Sequence, residues 1–162
     1  MSTAFLGVGN PLRRDDGVGH WVGRQLATQG RTVYLAGPTP ENILGQVQRD
    51  TPDTLVVVDA AELGLPPGSF RRLPQESTPA MLTSTHGLPL TFLLSLLRNS
   101  ARSISLIGVQ PALLEAGEGL TSEVRTGAES LVKLLAAEDF TAIPLHDLGA
   151  ARVDRTAPRG EH

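Results

Sequence analysis

Leu55-Val56-Val57-Val58-Asp59 is an unbroken apolar run, β-branched at its centre, that ends on a carboxylate. A strand with one wet face alternates apolar and polar residues. A continuous run instead marks a strand covered on both faces, the habit of a parallel sheet between helices. Working outward, Ala4–Val8 is a second such run, closed by the turn residues Gly9-Asn10-Pro11. Val18, Trp21, Val22 and Leu26 then recur at helical spacing up to about Thr28. Thr32–Leu35 reads as a strand. Glu41–Arg49 reads as a helix with Ile43, Leu44 and Val47 on one face and Pro40 suited to its first turn. Pro66-Pro67-Gly68 turns the chain into a short edge strand over Gly68–Leu73. Leu88–Leu97 predicts a buried helix and Ile104–Val109 a buried strand stopped by Gln110-Pro111. Thr121 is placed to cap a final amphipathic helix carrying Val124, Ala128, Leu131, Val132 and Leu135 on one stripe.

Strands alternating with helices specify a single α/β domain over residues 1–146, a mostly parallel sheet with helices on both faces. From Asp147 onward the apolar period is lost, and residues 147–162 are expected to form a disordered tail.

Composition removes several classes of function. The 162 residues suit one domain, and fourteen basic against seventeen acidic residues, a net charge of -3, leave no basic footprint for nucleic acid or an anionic membrane. The absence of cysteine excludes disulfides, thiolate metal sites and a cysteine nucleophile. Lys133 is the single lysine and falls on the surface of the last predicted helix, which argues against Schiff-base chemistry. No segment approaches the ~18 consecutive apolar residues of a membrane span. The first residues run straight into a strand without the basic region of a signal peptide. The expectation is a soluble, cytoplasmic protein.

Familiar catalytic motifs fail one by one. Gly7-Val8-Gly9 follows a strand, but Leu12 stands where a dinucleotide fingerprint needs its third glycine. There is no phosphate loop ending in Gly-Lys-Ser/Thr, no His-Glu-x-x-His and no Gly-x-Ser-x-Gly elbow. A positional argument survives. In open α/β sheets, functional groups gather beyond the carboxyl ends of the strands. There the first loop delivers Asp15 and Asp16, the central strand ends in Asp59, and the loop before the Leu88 helix delivers His86 between Ser84-Thr85 and Gly87. Two carboxylates and an imidazole with open positions describe a divalent-metal site. Each also has an ordinary explanation: Asp15 and Asp16 could cap the helix that follows, and His86 could cap its own. Asp59, a carboxylate closing a buried strand, must be paired or metal-bound to offset desolvation. His20, His146 and His162 have no comparable setting.

The stretch Gly7-Val8-Gly9-Asn10-Pro11-Leu12-Arg13-Arg14-Asp15-Asp16-Gly17-Val18-Gly19 resembles the N-terminal signature of the [NiFe]-hydrogenase maturation endopeptidases. Val56-Val57-Val58-Asp59-Ala60, Ser84-Thr85-His86-Gly87-Leu88-Pro89-Leu90 and Ile107-Gly108-Val109-Gln110-Pro111 resemble three further blocks in the same order. Thr39-Pro40-Glu41-Asn42 is similar to the branch that processes the large subunit of formate-hydrogenlyase-type hydrogenase. The resemblance implies a five-stranded twisted sheet between helices and an aspartate-dependent, metal-assisted (aspartyl) endopeptidase. Its substrate would be a hydrogenase large-subunit precursor, trimmed of a C-terminal extension after nickel insertion. It implies Asp16, Asp59 and His86 as ligands toward nickel supplied by the substrate, with other divalent metals able to substitute in vitro; on the metal-gated model that follows, Asp15→Asn is expected to matter less than Asp16→Asn. Relatives carry Asp/Glu-Gly-Gly-Thr/Ser after the second strand, in a substrate-sensing loop. Here the stretch reads Leu35-Ala36-Gly37-Pro38-Thr39, so Gly37, Pro38 and Thr39 form an altered recognition loop. Two alternatives stand beside the protease: a non-catalytic nickel-sensing chaperone of the same precursor, and a small-molecule or nucleotide-binding α/β module using the Gly7–Gly9 turn.

Overall fold

A computed structural model describes residues 2–36, 43–74 and 95–146. Five strands form one sheet: β1 (Thr3–Val8), β2 (Thr32–Ala36), β3 (Thr54–Ala60), β4 (Phe70–Leu73) and β5 (Ser103–Val109), in the order β2-β1-β3-β5-β4. The first four in that order run parallel, and only the edge strand β4 is antiparallel, against β5. The helices are α1 (Val18–Thr28), entered through a 3-10 turn at Arg14–Gly17, α2 (Leu44–Asp50) and α3 (Ser122–Ala136). No helix among the described residues is long and apolar enough to cross a membrane.

The central run behaves as its composition requires. Leu55 to Val58 are all essentially inaccessible to solvent and split by alternation between two cores. Leu55 and Val57 join Ala4, Leu6 and Val8 under α2 and Leu97, while Val56 and Val58 join Phe5, Val22, Leu26, Leu131 and Leu135 under α1 and α3. At about 1.5–3 kcal/mol for each fully buried aliphatic side chain, this strand contributes on both faces of the sheet. Strand β3 runs past Asp59 to Ala60, because the ladder to β5 continues through the pairs Asp59–Gly108 and Ala60–Val109. Strand β4 starts at Phe70 rather than Gly68, since Gly68 holds φ +90° and presses against the Glu123 carbonyl of α3. Most of the predicted Leu88 helix, like the predicted tail from 147, lies outside the described residues; its last turn, at 95–97, is helical and seats Leu97 in the core. The outer edge of β4 is covered by the segment 143–146: Arg72 N–H donates to the Pro144 carbonyl, His146 N–H donates to the Arg72 carbonyl, both at 2.8 Å, and Arg72 Nε reaches Ile143.

Glycines set how close α1 comes to the sheet. A methyl group at Gly19 would lie 2.2 Å from the Val58 carbonyl oxygen and 2.4 Å from that of Val8, and one at Gly7 would lie 2.3 Å from the Gly19 carbonyl oxygen. Helix α1 thus rests backbone to backbone on the carboxyl ends of β1 and β3. We expect Gly19→Ala to lower unfolding free energy by about 3 kcal/mol, as overpacking against backbone does. Gly45→Ala meets nothing nearer than 3.5 Å in helix α2, so it should leave stability unchanged or raise it by up to about 1 kcal/mol. Urea denaturation of the two variants beside wild type checks both.

Candidate active site

Strand β1 delivers the chain to Gly9, whose φ of +135° turns it off the sheet while its N–H still donates to the Ala36 carbonyl at 3.2 Å. Asn10 then accepts the Leu12 N–H on its side-chain oxygen at 3.0 Å, a local turn that replaces ladder bonds. The 3-10 turn that follows brings Asp16 back over the strand end. A methyl group at Gly9 would lie 2.0 Å from the Asp16 carbonyl oxygen and 3.8 Å from Asp59 Oδ1. Only glycine leaves room there, and the space its missing side chain leaves is bordered by the Asp16 backbone carbonyl and the Asp59 carboxylate.

Both carboxylates are fully buried. Asp16 Oδ2 accepts the Asn10 N–H at 3.1 Å, and Asp59 Oδ1 accepts the N–H of its own successor, Ala60, at 2.8 Å. Two of the three residues expected to form the site therefore lie buried beside Gly9 at the carboxyl edge. His86 and the loop residues Gly37, Pro38 and Thr39 lie outside the described residues. Among the described residues, no three histidine or acidic side chains converge as a metal-binding group. A complete ligand set requires a side chain from beyond them.

Asp15 has a different task from its neighbour. Its carboxylate, also fully buried, accepts four hydrogen bonds: from the N–H groups of Ala112 and Leu113 at 2.9 Å, and from the N–H and hydroxyl of Thr121 at 2.8 Å. It thus serves backbone donors, as the ordinary reading anticipated, but those of a distant loop rather than of α1. The same bonds overturn the expectation that the Thr121 hydroxyl caps the last helix. Thr121 occupies the N-cap position of α3 without a capping bond, its hydroxyl turned to donate to the Asp15 carboxylate instead of accepting a helix N–H. Gln110 is a second residue whose role the sequence did not disclose. Buried after β5, it accepts the Leu63 N–H at 2.6 Å and donates to Glu62 Oε1 and the Pro111 carbonyl, fixing the turn that leaves β3. The signal was a polar residue set between a buried strand and a proline. Leu12 and Leu113 stand out from these loops, 60% and 42% exposed.

The Gly7-Val8-Gly9 turn is no phosphate cradle: Gly7 faces Gly19 and Gly9 faces Asp16, so the space their missing side chains leave is already filled by backbone. His20, one helical turn beyond Asp16, hides both ring nitrogens from solvent, and neither makes a hydrogen bond among the described residues. Burial, helped by the Arg24 charge, lowers its pKa below the ordinary 6.5, and the nearby Ala36 carbonyl opposes this in part.

A family model described as hydrogenase maturation protease (HycI) matches residues 22–138. The chain is 28% identical over 139 residues to the hydrogenase 3 maturation protease of Escherichia coli strain K12, covering 83% of this chain and 89% of that protein. The [NiFe] hydrogenase maturation protease HycI from Thermococcus kodakarensis KOD1 is similar with TM-score 0.71 and 33% identity, over 84% of this chain and 90% of that one. The hydrogenase maturating endopeptidase HybD from E. coli is similar with TM-score 0.70 and 29% identity, over 85% and 91%.

The depressed pKa of His20 has a signed consequence. The unfolded chain binds this proton more readily than the folded one, so the stabilisation is complete above about pH 6.5 and is lost as pH falls below it. Urea midpoints should be flat above about pH 7 and fall on acidification, less steeply in His20→Gln than in wild type. Parallel curves for the two proteins would show that the folded state does not disfavour the charged imidazole.

Proposed function

The chain belongs to the hydrogenase maturation protease family and is a peptidase; from that premise we propose that it removes a C-terminal extension from a hydrogenase large-subunit precursor once nickel has entered that precursor. The observation that carries this reading is that two fully buried aspartates, Asp16 through its backbone carbonyl and Asp59 through its carboxylate, both border Gly9 at the carboxyl edge of the sheet. The branch similar to the formate-hydrogenlyase-type enzymes supplies the preferred substrate, and the cytoplasm is where such a precursor is assembled.

Asp16, Asp59 and His86 form an oxygen-rich, thiolate-free set. Such a set holds nickel more weakly than a cysteine-lined hydrogenase site does, so the nickel belongs to the substrate and docking completes its coordination. Held there by Asp16, Asp59 and His86, that nickel would supply Lewis-acid polarisation of the scissile carbonyl and activation of a water. The protein's own contribution is to desolvate the two carboxylates, hold Asp59 in strand β3 and Asp16 in the turn that follows β1, and offer one of them as proton acceptor. Gating by the metal of the substrate accounts for the lack of a self-sufficient hydrolase motif. The exposed Leu12 and Leu113 beside this edge suit a polypeptide substrate, and Gly37-Pro38-Thr39 is the loop proposed to read it, with Pro38 stiffening a stretch that is glycine-rich in relatives.

The test is intact-mass analysis after incubation with nickel-loaded and nickel-free precursor. A C-terminal peptide should be released from the loaded form alone, and Asp16→Asn, Asp59→Ala and His86→Ala should each abolish release while keeping a cooperative unfolding transition. Equal cleavage of nickel-free precursor would sink the gating, and binding without any mass change would point to a chaperone. Cadmium or zinc in place of nickel should support at least residual cleavage in vitro.

A further inference from the structure

The loop from Gly9 to Gly17 carries Asp16 but is not held by the sheet ladder. Apart from the Gly9 N–H on the Ala36 carbonyl, the backbone bonds seen among the described residues between this loop and the rest of the protein run to one irregular segment, 111–121. Arg14 N–H donates to the Gly117 carbonyl and Asp15 N–H to the Leu113 carbonyl, both at 3.0 Å, and Gly117 N–H donates to the Leu12 carbonyl at 2.9 Å. Arg14 Nε reaches the Gly119 carbonyl at 2.9 Å. To these the Asp15 carboxylate adds its four bonds. Arg14 itself sits at φ +49°, a conformation that costs free energy and persists only where the surroundings impose it.

We infer that Asp15 is the positioning residue of the site: by fastening the first loop to segment 111–121 it fixes the direction in which the adjoining Asp16 carboxylate points. The inference rests on the reading that Asp16 acts at the reacting centre. Its physical basis is the donor pattern. All four partners of Asp15 are donors, and among the described residues no cation stands within ion-pair range, so the buried charge is balanced by N–H and O–H dipoles alone. Asparagine cannot replace it. With the amide oxygen turned toward Ala112 and Leu113, its NH2 group faces the Thr121 N–H; turned the other way, it faces three donors. Either orientation sets donor against donor and loosens the joint one peptide bond from Asp16.

A local readout exists. Asn10 N–H is bonded to Asp16 Oδ2 and touches neither Asp15 nor segment 111–121 in that bond. Its hydrogen-exchange protection therefore reports how Asp16 is aimed. Asp15→Asn is expected to cut the cleavage rate on the order of tenfold or more, as loss of charge-assisted bonds does, by less than Asp16→Asn, and to strip protection from Asn10 as well as from Ala112, Leu113 and Thr121. Thr121→Val removes one bond and should give a smaller loss of both rate and Asn10 protection, while Thr121→Ser restores them. It serves in place of Asp15→Asn if that chain does not fold.

A folded Asp15→Asn that loses protection at 112, 113 and 121 but keeps Asn10 protected and cleaves at the wild-type rate would overturn the inference, leaving a structural fastening only. A wild-type rate in Asp16→Ala would instead overturn the reading of the site. In that case an Asn10 amide still protected in Asp15→Asn would overturn the positioning as well.

Discussion

The contact of α1 with the sheet, backbone against backbone, is the constraint on which the rest of this structure depends. Side chains normally hold a helix and a sheet roughly 10 Å apart; here Gly7 and Gly19 leave nothing between the strand and the helix carbonyl. The helix start is thereby drawn down onto the ends of β1 and β3. Asp16, immediately upstream, falls over Gly9 with no room for a side chain between. Burial of two carboxylates at that point follows from the same approach, and so does their need for backbone donors.

On the proposed reading, that arrangement stands in place of a hydrolase triad. The rigid parts contribute direction and desolvation, and Asp59 gains both by standing in a strand flanked on each side by parallel neighbours. A carboxylate at the end of an unpaired strand would have neither. The loops contribute what varies. Segment 111–121 has little regular structure, yet it is anchored by Gln110 at one end and by α3 at the other, so it serves the first loop as a wall.

The sheet was legible because its grammar is short-range. Leu55–Val58, Ala4–Val8 and Ile104–Val109 each declared two-sided burial by composition alone, and the α1 period placed its helix at Val18–Thr28 as found. Asp59 was legible because a charge closing an apolar run is costly in any context. Asp15 was harder to read, since its partners lie about a hundred residues away in a stretch without periodicity. The Thr121 cap misled for a related reason: a hydroxyl next to a helix start signals capping only while no buried carboxylate from elsewhere turns it toward itself as a donor. The glycines of the first block were legible as a motif, while their purpose, the missing volume between helix and strand, needed three dimensions.

The short segment at 143–146 along β4 bears on how this protein behaves among its own copies. An antiparallel edge strand with free N–H and C=O groups is a template on which another chain can add. Here Pro144, which has no N–H to offer, gives its carbonyl to Arg72, and His146 closes the next position. A chain cut ahead of Pro144 would keep all five strands and yet present β4 unshielded, inviting partners to stack into assemblies. The protection of that flank is therefore owed to the four residues 143–146.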